Sequence, residues 1–312
     1  MPQMLVDASN RSIEVSALVA TQVKHVTFGL FFQTTIFGVK YPSPILIAPV
    51  GVQGILHPDG ELATARAAGN VGVPYIMSTA ATRSIEDVAK ANGPNGRRWY
   101  QLYWQVSVCI TATFLQADIN ARPRTAEVTL SILGRAKANG FTALVVTLDT
   151  MHLGWRPHDL RTAYLPFLYG AGTQVGTSDP VFMKRLGLSP RVNERTVFPF
   201  NPQRVREAAF TQGNEKAMQN IMIGKEWLGE AHSGVWRTWD DLQFIRANWQ
   251  GPIVLKGIQR VSVRTMNNLH QFLTQLEMVR RTRKRPLHVA WMVSWCLTTV
   301  SFFISFRLDL RI

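Results

Sequence analysis

Short apolar runs alternate with amphipathic or alanine-rich stretches through the middle of the chain. Ile45–Val50 (ILIAPV) ends at Pro-Val-Gly and predicts a buried strand. Asp59–Gly69 follows as a helix, with Ala63, Ala65, Ala67 and Ala68 allowing close packing. Tyr75–Thr79 predicts a second strand. Ser84–Asn92 predicts a second helix, with Ser84 as N-cap and Asp87 three residues on. Arg98–Trp104 is a third strand, and Glu127–Asn139 a third helix ended by Gly140 at C′. Ala143–Asp149 is a fourth strand. A polar, Pro-rich stretch then runs from His158 to near Ser233, where no element is predicted. Trp239–Asn248 is a helix and Pro252–Gly257 (PIVLKG) a fifth strand.

Strands alternating with helices imply parallel βαβ units and an α/β fold. Five such strands predict an incomplete (β/α)8 TIM barrel, with strands one to five present and six to eight missing; a doubly wound sheet is the alternative. In a barrel the chemistry sits at the strand C-termini. That places Pro49, Val50, Gly51, Thr79, Gln101, Tyr103, Thr147 and Lys256 on one face. Any one of them alone would be read as a strand cap; their recurrence on the same face counts for more.

Composition changes the picture little until the tail. Hydrophobic content is 46% and net charge +14. From Val261 onward eight Lys and Arg stand against two Asp and Glu, so the tail carries +6 of that charge. Much of it is the run Arg280, Arg281, Arg283, Lys284 and Arg285, which reads as a solvated face; nothing near it resembles a nucleic-acid module. The two cysteines, Cys109 and Cys296, have no metal or redox spacing. No metal site, no disulfide framework and no nucleic-acid partner is expected. The N-terminus is not a signal peptide, so a cytoplasmic location is expected. Leu287–Leu308 is mostly apolar and uncharged until Arg307. Taken literally it is a membrane anchor with a basic flank, although His288, Ser294, Thr298, Thr299, Ser301 and Ser305 make it marginal.

Five ordered strings, Pro42–Ala68, Ser78–Ala89 (STAATRSIEDVA), Trp99–Trp104 (WYQLYW), Val145–Leu160 (VVTLDTMHLGWRPHDL) and Pro252–Gln259 (PIVLKGIQ), resemble the FMN-dependent α-hydroxy-acid oxidase family. Glycolate oxidase, lactate oxidase, flavocytochrome b2 and lactate 2-monooxygenase belong to that family. Gly154–Leu160 with the later Tyr164–Leu168 looks most like the lactate 2-monooxygenase branch, as does the long connection between strands four and five. The resemblance covers Ile36–Trp104, Thr125–Gly170 and Trp236–Gln259. It implies FMN as cofactor, a small 2-hydroxy acid as substrate, and oxygen or another acceptor for the electrons; family members are often homo-tetramers. It implies that Pro49, Val50 and Gly51 lie against the flavin, the small Gly51 permitting close approach. Thr79 and Thr147 would hydrogen-bond the ring edge and Gln101 its polar side. Lys256 would stabilise negative charge developing on the ring. Tyr103 and Arg156 would bind substrate, Arg156 by a bidentate clamp on the carboxylate.

The family's base is a His in a Ser-Asn-His-Gly-Gly-Arg-Gln string at the end of strand six. No such string occurs here, and none of the seven histidines (His25, His57, His152, His158, His232, His270, His288) follows an appropriate strand. The expected catalytic set is therefore empty. Four places where the resemblance breaks fall at Val15-Ser16, Val106-Ser107, Val261-Ser262 and Val300-Ser301. Val-Ser can be encoded GTA-AGT, the usual start of an intron. A fifth pair, Val293-Ser294, marks no break. Back-translated from the third base of Trp291, the segment Trp291–Val300 is compatible with Asp-Gly-Val-Val-Val-Ser-Asn-His-Gly. The expected organisation is thus a partial barrel over 1–260, with non-native inserts at 15–33 and 106–123, and an out-of-frame tail at 261–312. On that reading the membrane-like run 287–308 is an artefact and the chain as written is inactive. The rival is a non-enzymatic truncated paralogue anchored to a membrane by that run.

Overall fold

The computed structural model of the chain describes residues 33–104, 125–150, 155, 157–162, 165–232 and 237–257, with the backbone of 289–293 and 300–304. The expected inserts up to Phe32 and over 106–123, Arg156, both cysteines and the rest of the tail lie outside the described residues. A hairpin comes first: β1 (Thr34–Ile36) and β2 (Val39–Tyr41) pair antiparallel across Phe37-Gly38. Both turn residues have positive φ, 53° and 78°, the geometry of a two-residue I′ turn.

The barrel strands are β3 (Ile45–Ile47), β4 (Tyr75–Met77), β5 (Arg98–Leu102), β6 (Ala143–Thr147) and β7 (Ile253–Lys256), parallel throughout and each next to its sequence neighbour. The helices α1 (Glu61–Val71), α2 (Ile85–Asn92), α3 (Thr125–Ala138) and α9 (Leu242–Asn248) lie between them in sequence. Ser84 caps α2 as its spacing predicts, accepting from the Asp87 N–H at 3.1 Å, and Gly140 takes φ 73° after α3. The strands alternate in the two directions a pleat allows. Tyr75, Met77, Tyr100, Leu102, Leu144, Val146, Ile253 and Leu255 pack with helix residues such as Ala65, Val88, Ile132 and Ile245. Leu46, Ile76, Trp99, Val145 and Val254 point the other way, into the barrel. There the hairpin plugs the lower end with Ile36 and Tyr41, and Phe37 meets Trp99 with ring centroids 5.5 Å apart.

Two tail segments complete the ring. β8 (Val289–Val293) pairs parallel with β7, and β9 (Val300–Ile304) pairs antiparallel with both β8 and β3. The sequence reading leaves the barrel open after strand five and gives this region a membrane-like run. A short apolar run does not distinguish a helix from a buried strand by periodicity. The unpaired edges of β3 and β7 offer backbone partners to a β-capable segment. The connection 294–299 is too short for a parallel crossover, so β9 returns antiparallel. Among the described residues no helix is long and apolar enough to cross a membrane.

The stretch from His158 to Ser233, expected without elements, is largely helical. It contains α4 (Pro157–Thr162), a 3-10 turn (Pro166–Tyr169), α5 (Gln174–Thr177), α6 (Pro180–Arg185), α7 (Pro202–Phe210) and α8 (Glu215–Ala231). Most are short, and the prolines around them break the pattern, but the start signals are in the sequence. Asp179-Pro180 and Asn201-Pro202 are N-cap–proline pairs, and Asn214 caps α8. Trp227 buries α8 against Phe182 at 5.0 Å. Arg135 of α3 ties this excursion to the barrel: it pairs with both carboxylate oxygens of Glu86 at 2.9 and 2.8 Å, and donates to Asp179, Ser178 and the Val175 carbonyl.

Candidate active site at the barrel mouth

The inward phase of each strand continues one step past the apolar core. Two residues beyond Ile76, Trp99, Val145 and Val254 stand Ser78, Gln101, Thr147 and Lys256. The same strand thus presents an apolar side chain to the barrel interior and a polar one to its mouth. The four sit on consecutive strands, and Thr147 and Lys256 are direct register partners. Ser78 Oγ donates to Gln101 Oε1 at 3.2 Å, and Gln101 Nε2 donates to Thr147 Oγ1 at 3.0 Å. Ser78, Gln101 and Thr147 are buried. Lys256 Nζ lies 3.8 Å from Asp149 Oδ1, a loose pair on the rim of the mouth.

Thr79 stands one residue out of this phase. Its hydroxyl donates to the Gln101 carbonyl and accepts from the Tyr103 N–H at 3.3 Å. It therefore clasps the ends of β4 and β5 and fixes where Tyr103 leaves the strand. The inward position beside Gln101 belongs to Ser78, which sequence reasoning missed; counting by two from the apolar Ile76 would have found it. Tyr103 meets His232, at the end of α8, edge-on with centroids 6.0 Å apart. The two border a narrow cleft with Thr79, Ala80, Phe167 and Trp227. Trp104 follows with φ 54°, under the guanidinium of Arg237 at 4.6 Å.

Pro49, Val50 and Gly51 form the half-buried loop after β3. A Cβ on Gly51 would stand 2.8 Å from the Ala80 Cβ and 3.3 Å from Ser78 Oγ, so only glycine lets this loop approach the one after β4. The Val52 N–H donates to the Ala80 carbonyl at 2.9 Å, holding a β-branched residue at φ 57°. Beneath lies Glu61, fully buried, another residue absent from the sequence reading. Its carboxylate accepts from the Gln53 N–H at 3.0 Å, the Thr82 N–H at 2.9 Å and the Thr82 hydroxyl at 2.5 Å. One acid thereby joins both loops.

The structure brings Pro49, Val50, Gly51, Thr79, Gln101, Tyr103, Thr147 and Lys256 to one end of the barrel; Arg156 lies outside the described residues. The donor set fits the edge of a flavin ring. Gln101 keeps a second N–H, Thr147 accepts from Gln101 and keeps its own proton, and Lys256 has three donors and a fixed charge.

The family model for FMN-dependent dehydrogenases matches residues 7–266. An FMN-dependent alpha-hydroxy acid dehydrogenase of Schizosaccharomyces pombe is 42% identical over 230 residues, 73% of this chain and 47% of its own length. A namesake from Penicillium citrinum is 41% identical over 224 residues, 72% and 45% of the two chains. L-lactate oxidase of Lysinibacillus sphaericus is 40% identical over 151 residues, 48% and 34%. A solved mandelate oxidase matches 78% of this chain and 50% of its own at 24% identity and a TM-score of 0.47. The chain spans about half the length of these two curated relatives. It belongs to the FMN-dependent α-hydroxy-acid dehydrogenase family, whose members are flavin oxidoreductases.

Proposed function

We propose that the complete protein oxidises a small 2-hydroxy acid with FMN, passing the electrons to oxygen or another acceptor, and that this chain supplies the ring-facing part of the site. The observation that carries the reading is the polar row Ser78–Gln101–Thr147–Lys256, inward-facing on four consecutive strands within the span matching the family. FMN, when bound, supplies a ring that accepts two electrons. Gln101 and Thr147 orient its polar edge, and Lys256 places a positive charge where negative charge develops. Pro49, Val50 and Gly51 form the loop it lies against. Tyr103 hydrogen-bonds the substrate and Arg156 clamps its carboxylate. The motif Gly154–Leu160 and the long excursion after β6 favour a substrate and reaction of the lactate 2-monooxygenase type.

The sequence lacks the Ser-Asn-His-Gly-Gly-Arg-Gln string that carries the family's base, so these 312 residues are expected not to turn over. The tail 261–312 is an out-of-frame reading of the sixth strand and the chain beyond it, and 15–33 and 106–123 are intron-derived. Flavin fluorescence on adding FMN to the purified chain tests the site. Weak, saturable quenching is expected, reduced about tenfold by Gln101→Leu or Lys256→Met, the worth of one charged or well-placed hydrogen bond. Equal quenching in the variants removes the proposed ring contacts. Lactate oxidation by this chain would overturn the assignment of no base. A transcript running uninterrupted across the Val261 codon, with no spliced form restoring Ser-Asn-His, would overturn the reading of the tail.

A further inference from the structure

Behind the wall of the barrel mouth the excursion forms a second concavity. It runs between the Pro166–Tyr169 turn, the segment 194–201 and the first turns of α7 and α8. Its floor includes Tyr169, Phe200 and Val205; Arg195, Arg204 and Lys216 stand around it. All three cations are exposed, and none has an ion-pair partner among the described residues. Glu194, the acid that lines the groove, is engaged by Arg191 at 3.0 Å. Two helix N-termini add positive partial charge to the same space.

Exposed cations on a convex surface are ordinarily just solvated. Three converging on an apolar concavity, with its acid already neutralised, are different. A further observation concerns Arg83, 1% exposed, just under the mouth. Its terminal nitrogens donate to the Thr82 and Pro58 carbonyls, but its Nε has no acceptor among the described residues. Burial lowers its pKa, Glu61 opposes that, and the charge of Arg195 lowers it further. The like charge that borders the groove is thus felt by a buried guanidinium with an unused donor.

We propose that this groove binds a monocarboxylate with an apolar body: the carboxylate among Arg195, Arg204 and Lys216, the body on Tyr169, Phe200 and Val205. The groove shares the Pro166–Tyr169 turn with the mouth: Phe167 lines the cleft beside Tyr103, and Tyr169 lines the groove. A ligand here therefore presses on the back of the same turn. The proposal requires no bound flavin.

Saturation-transfer NMR on the 312-residue chain without FMN tests it, with octanoate, acetate and inorganic phosphate as probes. Octanoate is expected to bind saturably, with acetate and phosphate silent at the same concentration. Replacing the three exposed cations together (R195A, R204A, K216A) is expected to weaken octanoate about tenfold or more, as is Val205→Glu on the floor. Lys256→Met, at the proposed flavin site, leaves octanoate binding unchanged, so failure of the two readings is separable. Acetate binding as well as octanoate, phosphate displacing octanoate, or octanoate binding that survives loss of the three cations would each overturn the proposal.

Discussion

β3 to β7 run parallel, pack against helices on the outer face and carry, from β4 onward, an inward polar residue at or just past the strand end; β8 and β9 pair with other strands, and β9 runs against both of its neighbours. The first set couples backbone pairing to side-chain chemistry, because its pleat decides that Val145 enters the core and Thr147 the mouth. The second set completes a ring of backbone hydrogen bonds. Ring closure and a complete active site are therefore separate achievements: main-chain pairing accepts many sequences, whereas a mouth needs particular residues at particular phases.

Four measurements can undo that contrast or tighten it. Val145→Asp, placing an unpaired acid inside the barrel, should cost more than about 4 kcal/mol and abolish cooperative unfolding in urea. Glu61→Gln keeps the shape but loses the charge that three donors share; a loss of about 2 kcal/mol in the same assay is expected. The third concerns acid. Burial alone would raise the pKa of Glu86, but its two hydrogen bonds from Arg135 and that residue's charge outweigh burial and leave it lowered. The pair therefore stabilises above the ordinary carboxylate pKa, and that stability is lost as pH falls through the lowered value. Arg135→Met should flatten this acid limb in a stability-versus-pH series. Smallest of all, Phe302→Pro in β9 should cost about 1 kcal/mol, the loss of one ladder hydrogen bond. A loss as large as that of Glu61→Gln would make the tail strands structural members and remove the contrast.

The elements most legible in the sequence are those whose local pattern and packing agree. ILIAPV, YIMST and ALVVTLD gave strands because apolar runs bounded by turn residues have few other uses, and Ser84 announced its helix by its spacing to Asp87. The strands prove shorter than read. Ala48–Val50, Ser78-Thr79 and Leu148-Asp149 lie beyond the ladder, and those overhanging residues build the mouth. The short helices of the excursion were hidden because four to nine residues carry too little periodicity, whereas α8 was legible and went unread: Ile223, Trp227 and Ala231 recur every four residues on its buried face. Ser78 could be placed inward by counting two from Ile76, but its bond to Gln101, 23 residues away, like that of Glu61 to Thr82, 21 residues away, arises only when neighbouring strands align.

Glu61 also makes the two loops above it one mechanical unit. The amide protons of Gln53 and Thr82 share a single acceptor oxygen, although they leave different strands. Neither can reach water while the carboxylate stays seated, and an opening that frees one frees the other. Their exchange with deuterium should accordingly follow a common rate, a clock for how often the lip of the barrel lifts.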